Sequence, residues 1–189
     1  MEITREKAFE LLKEYVKSES LIKHCLAVEA SMRGYAKKFG EDVETWGVCG
    51  LLHDIDFEQY PEEHPLKGVE ILKEKGYPED FVMAVKGHAD RTGTPRETLM
   101  AKTLYAIDEL SSFVIACVLV RPTKFEGLKV KSVKKKLKDK AFAKAVDRGQ
   151  IKKSAEELGV ELSEHIQTVI NALTEREEEL KKEGLSLID

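Results

Sequence analysis

Apolar side chains recur along this chain every three to four residues, the period of a helix with one buried face. Residues 4–16 place Ala8, Phe9, Leu11, Leu12, Tyr15 and Val16 at that spacing, with Thr4 positioned as an N-cap. A second helix is expected over 19–39, with Leu21, Cys25, Val28, Met32, Tyr35 and Phe39 on one stripe and Gly40 as its stop. Residues 42–53 follow as a short third helix. Pro65 and Pro78 each stand at the first turn of a further helix, the first ending at Gly76 and the second near residue 88. The stretch from Thr94-Pro95 to Val120 keeps the 3.6-residue period into its β-branched end, so a long helix is expected rather than a strand. Helices over 132–148, 150–158 and 162–183 complete the pattern. No strand pair with hairpin chemistry and no internal repeat is visible, and the expected class is all-α.

Composition narrows what such a bundle can be. The chain has 189 residues, 42% of them apolar, enough for one ordinary domain with a true core. The longest apolar run, Phe113 to Val120, is far too short to span a bilayer. The N-terminal residues have no apolar signal core, and the three cysteines lack metal-ribbon spacing, so a cytoplasmic protein is expected. Charge is distributed unevenly. Residues 1–120 hold 15 Lys and Arg against 22 Asp and Glu, residues 121–153 hold 13 against 3, and residues 154–189 hold 3 against 10. The basic block could pair with the acidic segments on either side, the plainer expectation, or could meet phosphate.

Candidate chemistry lies in the first two thirds of the chain. His24 borders the buried stripe of the second helix; His53 and Asp54 are adjacent at the end of the third. His64 precedes Pro65, His88 ends the fifth helix, and Asp108 interrupts the apolar stretch from Leu104 to Leu110. Imidazole and carboxylate suit Zn, Fe, Mn, Ni or Co, and a buried Asp is costly unless it is paired or holds a cation. Any one such histidine is ordinarily a structural residue. The fifth, His165, follows Glu164 on an amphipathic helix and is read as structural.

The ordered set His24, Leu51-Leu52-His53-Asp54-Ile55 and Ala106-Ile107-Asp108 resembles the HD superfamily of metal-dependent phosphohydrolases, named for its His-Asp doublet. His64-Pro65-Leu66-Lys67-Gly68 and His88 resemble the additional ligands of its two-metal members. The resemblance covers roughly residues 18–121 and implies an HD helical bundle over 1–121. Residues 122–189 carry no part of it, but their amphipathic helices must bury their apolar stripes, and the short Arg121-Pro122-Thr123-Lys124 connection makes the 1–121 core the nearest partner, so a helical extension packed on it as one cooperative domain is expected. The resemblance also implies one or two divalent ions (Fe, Mn, Ni, Co or Zn, with Mg possible). His24, His53, Asp54 and Asp108 would hold the first, and His64 and His88 would hold the second across a bridging Asp54. A metal ion lowers the pKa of bound water so that hydroxide is available near neutral pH. The paired His-His-Glu and the Gly-Tyr-Pro of the cyclic-dinucleotide branch are missing around Gly87 to Pro95, which argues against a cyclic-di-GMP phosphodiesterase.

The implied activity is hydrolysis of a small phosphorylated substrate, a nucleotide being the leading candidate. Besides Asp54, three residues are candidates for the chemistry. Asp56 stands where the family commonly has Gly and could serve as a base. Lys67 and Arg91, each three residues from an implied ligand, could reach a substrate phosphate. Two alternatives remain open: a di-iron oxygenase using the same ligand order, and a metal-stabilised module whose basic block binds RNA or a partner. Nucleic-acid binding ranks last, because residues 121–153 offer only Phe125 and Phe142 for stacking. No membrane partner is expected, and the oligomeric state is left open.

Overall fold

The computed structural model describes residues 1–189, folded into nine α-helices with no strand. Helix α1 spans Arg5–Tyr15 and α2 spans Glu19–Phe39; Thr4 and Ser18 cap them by accepting from the backbone N–H groups of Lys7 and Leu21. Gly40, at φ 72°, ends α2 in the left-handed conformation that glycine adopts without strain. Helix α3, Val43–Leu52, is capped by Asp42 and is buried along its whole run from Trp46 to Leu52. That burial explains its weak amphipathic pattern: every face of α3 has a packing partner.

Helices α4 (Leu66–Glu74) and α5 (Glu79–Gly87) lead through a single 3-10 turn at Asp90–Thr92 to the long α6 (Leu99–Leu119). Helices α7 (Val130–Leu137), α8 (Arg148–Leu158) and α9 (Leu162–Lys182) follow. Helix α2 packs on α3, α6 and α9, while α8 packs mainly on α6. One continuous apolar cluster joins Leu12, Met32, Leu51, Phe81, Phe113 and Leu173, and it includes Val133 and Ile151 of the C-terminal helices. Residues 122–189 thus share the core of the preceding helices. No helix is long and apolar enough to cross a membrane.

Two close approaches position the site. A Cβ on Gly50 would lie 2.8 Å from the Val28 carbonyl oxygen, so glycine lets α3 press against α2. A Cβ on Gly68 would meet Asp56 Cγ at 3.2 Å, so α4 can lie directly over the chain that follows α3.

Three expected boundaries move. The helix expected over 132–148 stops at Leu137, and residues 138–147 form turns in which Ala143 takes φ 46°. The apolar spacing there is four residues from Val133 to Leu137 and then five to Phe142, which no single helical face can follow. The chain bends instead, seating Phe142 edge-on against Phe113 at 5.7 Å. Arg148 holds the bend by donating to the carbonyls of Leu137, Asp139, Phe142, Ala143 and Val146. Asp147 then caps α8, so that helix starts at Arg148 rather than 150 and Gly149 falls within its first turn. Helix α6 starts at Leu99 rather than Pro95 because Thr98 is its cap, accepting from Ala101 N–H at 3.1 Å.

Candidate metal centre

The six residues picked out from the sequence converge. His24 comes from the middle of α2, His53 and Asp54 from the end of α3, His64 from the entrance to α4, His88 from the end of α5 and Asp108 from the middle of α6. His24 Nε2 lies 3.2 Å from His53 Nε2, 3.3 Å from Asp54 Oδ2 and 3.1 Å from Asp108 Oδ1. His53 Nε2 lies 3.2 Å from Asp54 Oδ2 and 3.3 Å from Asp108 Oδ1. On the other side of the same carboxylate, Asp54 Oδ1 is 3.2 Å from His88 Nε2 and 3.4 Å from His64 Nε2. Asp54 therefore bridges two sets of donor atoms.

The histidine tautomers decide what these atoms can be. His53 Nδ1 donates to the Gly50 carbonyl at 2.7 Å, His88 Nδ1 to the Val85 carbonyl, and His64 Nδ1 to Asp56 Oδ1 at 2.6 Å. A carbonyl or carboxylate oxygen can only accept, so each Nδ1 carries a proton and each Nε2 turns its lone pair inward. His24 Nδ1 pairs at 3.0 Å with Ser112 Oγ, a hydroxyl able to accept its hydrogen bond, so that His24 Nε2 is the nitrogen facing the shared point. Imidazoles anchored through one nitrogen, with the other aimed at a shared point, are what metal ligation requires. Two Nε2 atoms facing each other at 3.2 Å, beside two carboxylate oxygens, need positive charge between them. Atoms bound about 2.1 Å from one ion stand roughly 3.0–3.4 Å apart, so the observed separations fit a divalent cation.

Electrostatics agree. Burial opposes charge on His24, but the hydrogen bonds and charges of Asp108 and Asp54 outweigh it and raise its pKa to about 9. Burial opposes charge on His53 as well, and the same carboxylates raise it well above the ordinary histidine value. Burial alone would raise both carboxyls, yet the neighbouring imidazoles hold Asp54 and Asp108 well below the usual carboxylate range. The two carboxylates thus favour positive charge at the inward-facing imidazole nitrogens, charge that a divalent ion would supply in place of protons.

An open cavity of about 640 Å³ lies over these ligands. Its walls add Phe57, Glu58, Glu109 and Gln150, and no Lys or Arg lines it. Ser112, Glu58, Glu109 and Gln150 were not picked out from the sequence. Ser112 could have been, since it stands four residues after Asp108 on the same face of α6. Gln150 could not, because only the packing of α8 on α6 brings it to the rim.

The other three candidate residues lie outside the cavity lining. Asp56 is fully buried, accepting from His64 Nδ1–H and, at 2.7 Å, from Gly68 N–H, so it faces the back of a ligand rather than the cavity. Lys67 pairs with Glu70 at 3.0 Å and lies over the Tyr60 ring. Arg91 follows the 3-10 turn's first residue, outside the cavity lining. Cys25 and Cys49 are buried in the core. His165 is buried too, accepting from the Tyr35 hydroxyl and donating to the Ala106 carbonyl.

Residues 21–112 match the HD domain family. The chain carries an HD domain. Its matched stretch contains all six converging residues and Ser112, and it ends before the last turns of α6, so α7 to α9 lie outside it. The chain is also 35% identical over 100 residues to an uncharacterized protein of Methanocaldococcus jannaschii, across 50% of this chain and 59% of that protein. HD domains are typically metal-dependent hydrolases, and the buried His and Asp cluster found here fits the divalent metal site of such a domain.

Proposed function

We propose that this HD domain hydrolyses a small phosphate ester, with a nucleotide as the leading substrate. The observation that carries the reading is the bridging of Asp54, whose two carboxylate oxygens face two separate sets of histidine nitrogens at 3.2–3.4 Å. His24, His53, Asp54 and Asp108 would hold one divalent ion, and Asp54, His64 and His88 a second. Such ions supply a hydroxide near neutral pH and neutralise phosphate oxygens. The chain's own residues set up that chemistry: Ser112, Gly50, Val85 and Asp56 fix the imidazoles so that only Nε2 lone pairs face the cavity.

A cavity of about 640 Å³ lies within the range of small-ligand sites, roughly 300–1000 Å³. Phe57, half exposed at its rim and edge-on to His64 at 5.2 Å, offers a ring face for a base or sugar. With no Lys or Arg in the lining, phosphate charge would be answered by the ions alone. The test is a screen of phosphomonoesters and nucleotides, run anaerobically with protein loaded with Mn2+ or Co2+. Phosphate release that Asp54→Ala abolishes is expected.

One observation favours a second reading. A cavity without Lys or Arg also suits an uncharged substrate, which a di-iron oxygenase of the same ligand order would admit. Oxygen consumption by iron-loaded protein, with no phosphate release from any ester, would replace the hydrolase reading with this one.

A further inference from the structure

The basic block of residues 121–153 pairs little with the acidic segments that flank it in sequence, Lys153 with Asp90 being an exception. Some of its cations are spent internally: Arg121 on the Lys124 and Glu126 carbonyls, Arg148 on the 137–147 bend, and Lys124 on the Leu119 carbonyl. Lys153 meets Asp90 at 3.5 Å. The lysines on and around α7 have no carboxylate within 4 Å, whereas Lys37 and Lys38 of α2 reach Glu175 and Glu164 at 2.8 and 2.5 Å. Glu161, whose pKa is lowered by the backbone N–H groups it caps and then by the nearby Lys134 charge, makes no ion pair with that lysine and caps α9 instead.

Lys131, Lys134, Lys135 and Lys138 follow an i, i+3, i+4, i+7 spacing, a single stripe along one side of α7 about 10 Å long. The opposite side is anchored by Val133, which is fully buried. Like charges at these spacings destabilise an isolated helix by about 0.2–0.5 kcal/mol per pair. Lys129, at the N-cap position with no side-chain cap bond, adds charge at the end where the helix dipole disfavours it. A stripe maintained against those costs, with no internal partner, is suited to an external polyanion.

Shape narrows the partner. Two recesses flank α7. One, of about 480 Å³, lies among Lys131, Lys134, Lys135 and Lys138 beside Val130 and Ser163. The other, of about 380 Å³, is bounded by Arg121, Lys135, Lys136 and Ser132, with Asp139 at its edge and Leu128 and Cys117 at its base. Lys135 belongs to both, so a chain of phosphates could cross the helix from one recess to the other. A flat bilayer cannot enter such concavities, whereas a flexible sugar–phosphate strand can. We propose that the α7 face binds single-stranded nucleic acid through its phosphates, without reading bases. The scarcity of aromatic side chains here, which spoke against nucleic acid when the sequence was considered alone, removes base stacking but leaves backbone attraction intact. This site is independent of the metal centre and of the hydrolase reading.

The test uses the full-length, metal-loaded protein and fluorescent 20-nucleotide oligo(U) and oligo(dT), titrated between 50 and 300 mM salt. Four backbone contacts on a single strand predict a log–log salt slope of about −3. The triple variant Lys131→Gln, Lys134→Gln, Lys138→Gln should bind at least tenfold more weakly at 50 mM salt, with the slope near −1, while its metal content is unchanged. A control of equal net charge, Lys140→Gln, Lys144→Gln, Lys152→Gln, should change affinity less than twofold. The RNA and DNA arms show which backbone is held more tightly, and binding of either supports the site. Absence of binding to both oligonucleotides, equal losses in the two triple variants, or preferential binding to phosphatidylserine vesicles would each overturn the proposal.

Discussion

Asp56 offers the sharpest test of how the centre is built, because it touches one set of ligands and not the other. Its carboxylate is fully buried and accepts two hydrogen bonds, from His64 Nδ1–H at 2.6 Å and from Gly68 N–H at 2.7 Å. In Asp56→Asn one oxygen becomes an NH2 group, so one of those two donors faces another donor. Hydrogen bonds to a charged group are worth about 1.5–3 kcal/mol, and an orphaned buried donor costs about 1–3 kcal/mol, so a stability loss of about 2–3 kcal/mol is expected. The same change frees the orientation and tautomer of His64. Losing such an outer partner weakens metal affinity about 10–100-fold, and here the loss should fall only on the ion held by His64 and His88. Calorimetric titration with Mn2+ or Co2+ should show two binding steps in the parent and, in the variant, a weakened second step beside an unchanged first. Urea unfolding supplies the stability change independently. Gly68→Ala should act in the same direction, since its Cβ would press on Asp56 Cγ at 3.2 Å. If Asp56→Asn loses the expected stability yet binds both ions as the parent does, Asp56 does not position His64 and the reasoning fails.

Three further expectations follow from the same geometry. Asp54→Ala should remove all tightly held metal, while His53→Ala and His88→Ala should each leave one ion per chain; elemental analysis that finds two ions in His88→Ala would contradict the division into two sets. Burial lowers the His165 pKa to about 4, so the unfolded chain, near 6.5, takes up the proton first as pH falls. Stability from this residue is therefore complete above about pH 6.5 and lost toward pH 4, by about 2 kcal/mol at pH 5. His165→Gln should lack that component, and urea unfolding at pH 8 and pH 5 should show the gap between parent and variant narrowing by that amount. Arg96 grips Glu157 of α8 through Nε and Nη2 at 2.8 and 3.0 Å and also donates to the Gly87 carbonyl, next to His88. Arg96→Ala should therefore destabilise the chain by about 2 kcal/mol and weaken the second ion more than the first, and equal losses of affinity at both ions would refute the link.

The helical class was readable from period alone, because a buried face repeats every 3.6 residues whatever it is buried against. The cap at Thr4 and the stop at Gly40 are local backbone chemistry and fall where the residues indicate. All six converging residues could also be named in advance, because their order along the chain resembles that of the HD family's ligands. Other features were not local. Residues 138–147 leave the helix because Phe142 finds Phe113, a contact across the fold that outweighs the helix-forming sequence around it. Asp56 reads in sequence as a second catalytic carboxylate, and only the approach of α4 at Gly68 turns it inward onto His64. The lysines of α7 could have met the acids of α9, which are numerous enough in sequence. The packing of α9 instead turns Glu164 and Glu175 toward α2 and keeps Glu161 as a cap, leaving the α7 stripe unpaired. Charge pairing and site chemistry depend on a few ångströms between distant segments, and that distance is decided by tertiary packing rather than by spacing along the chain.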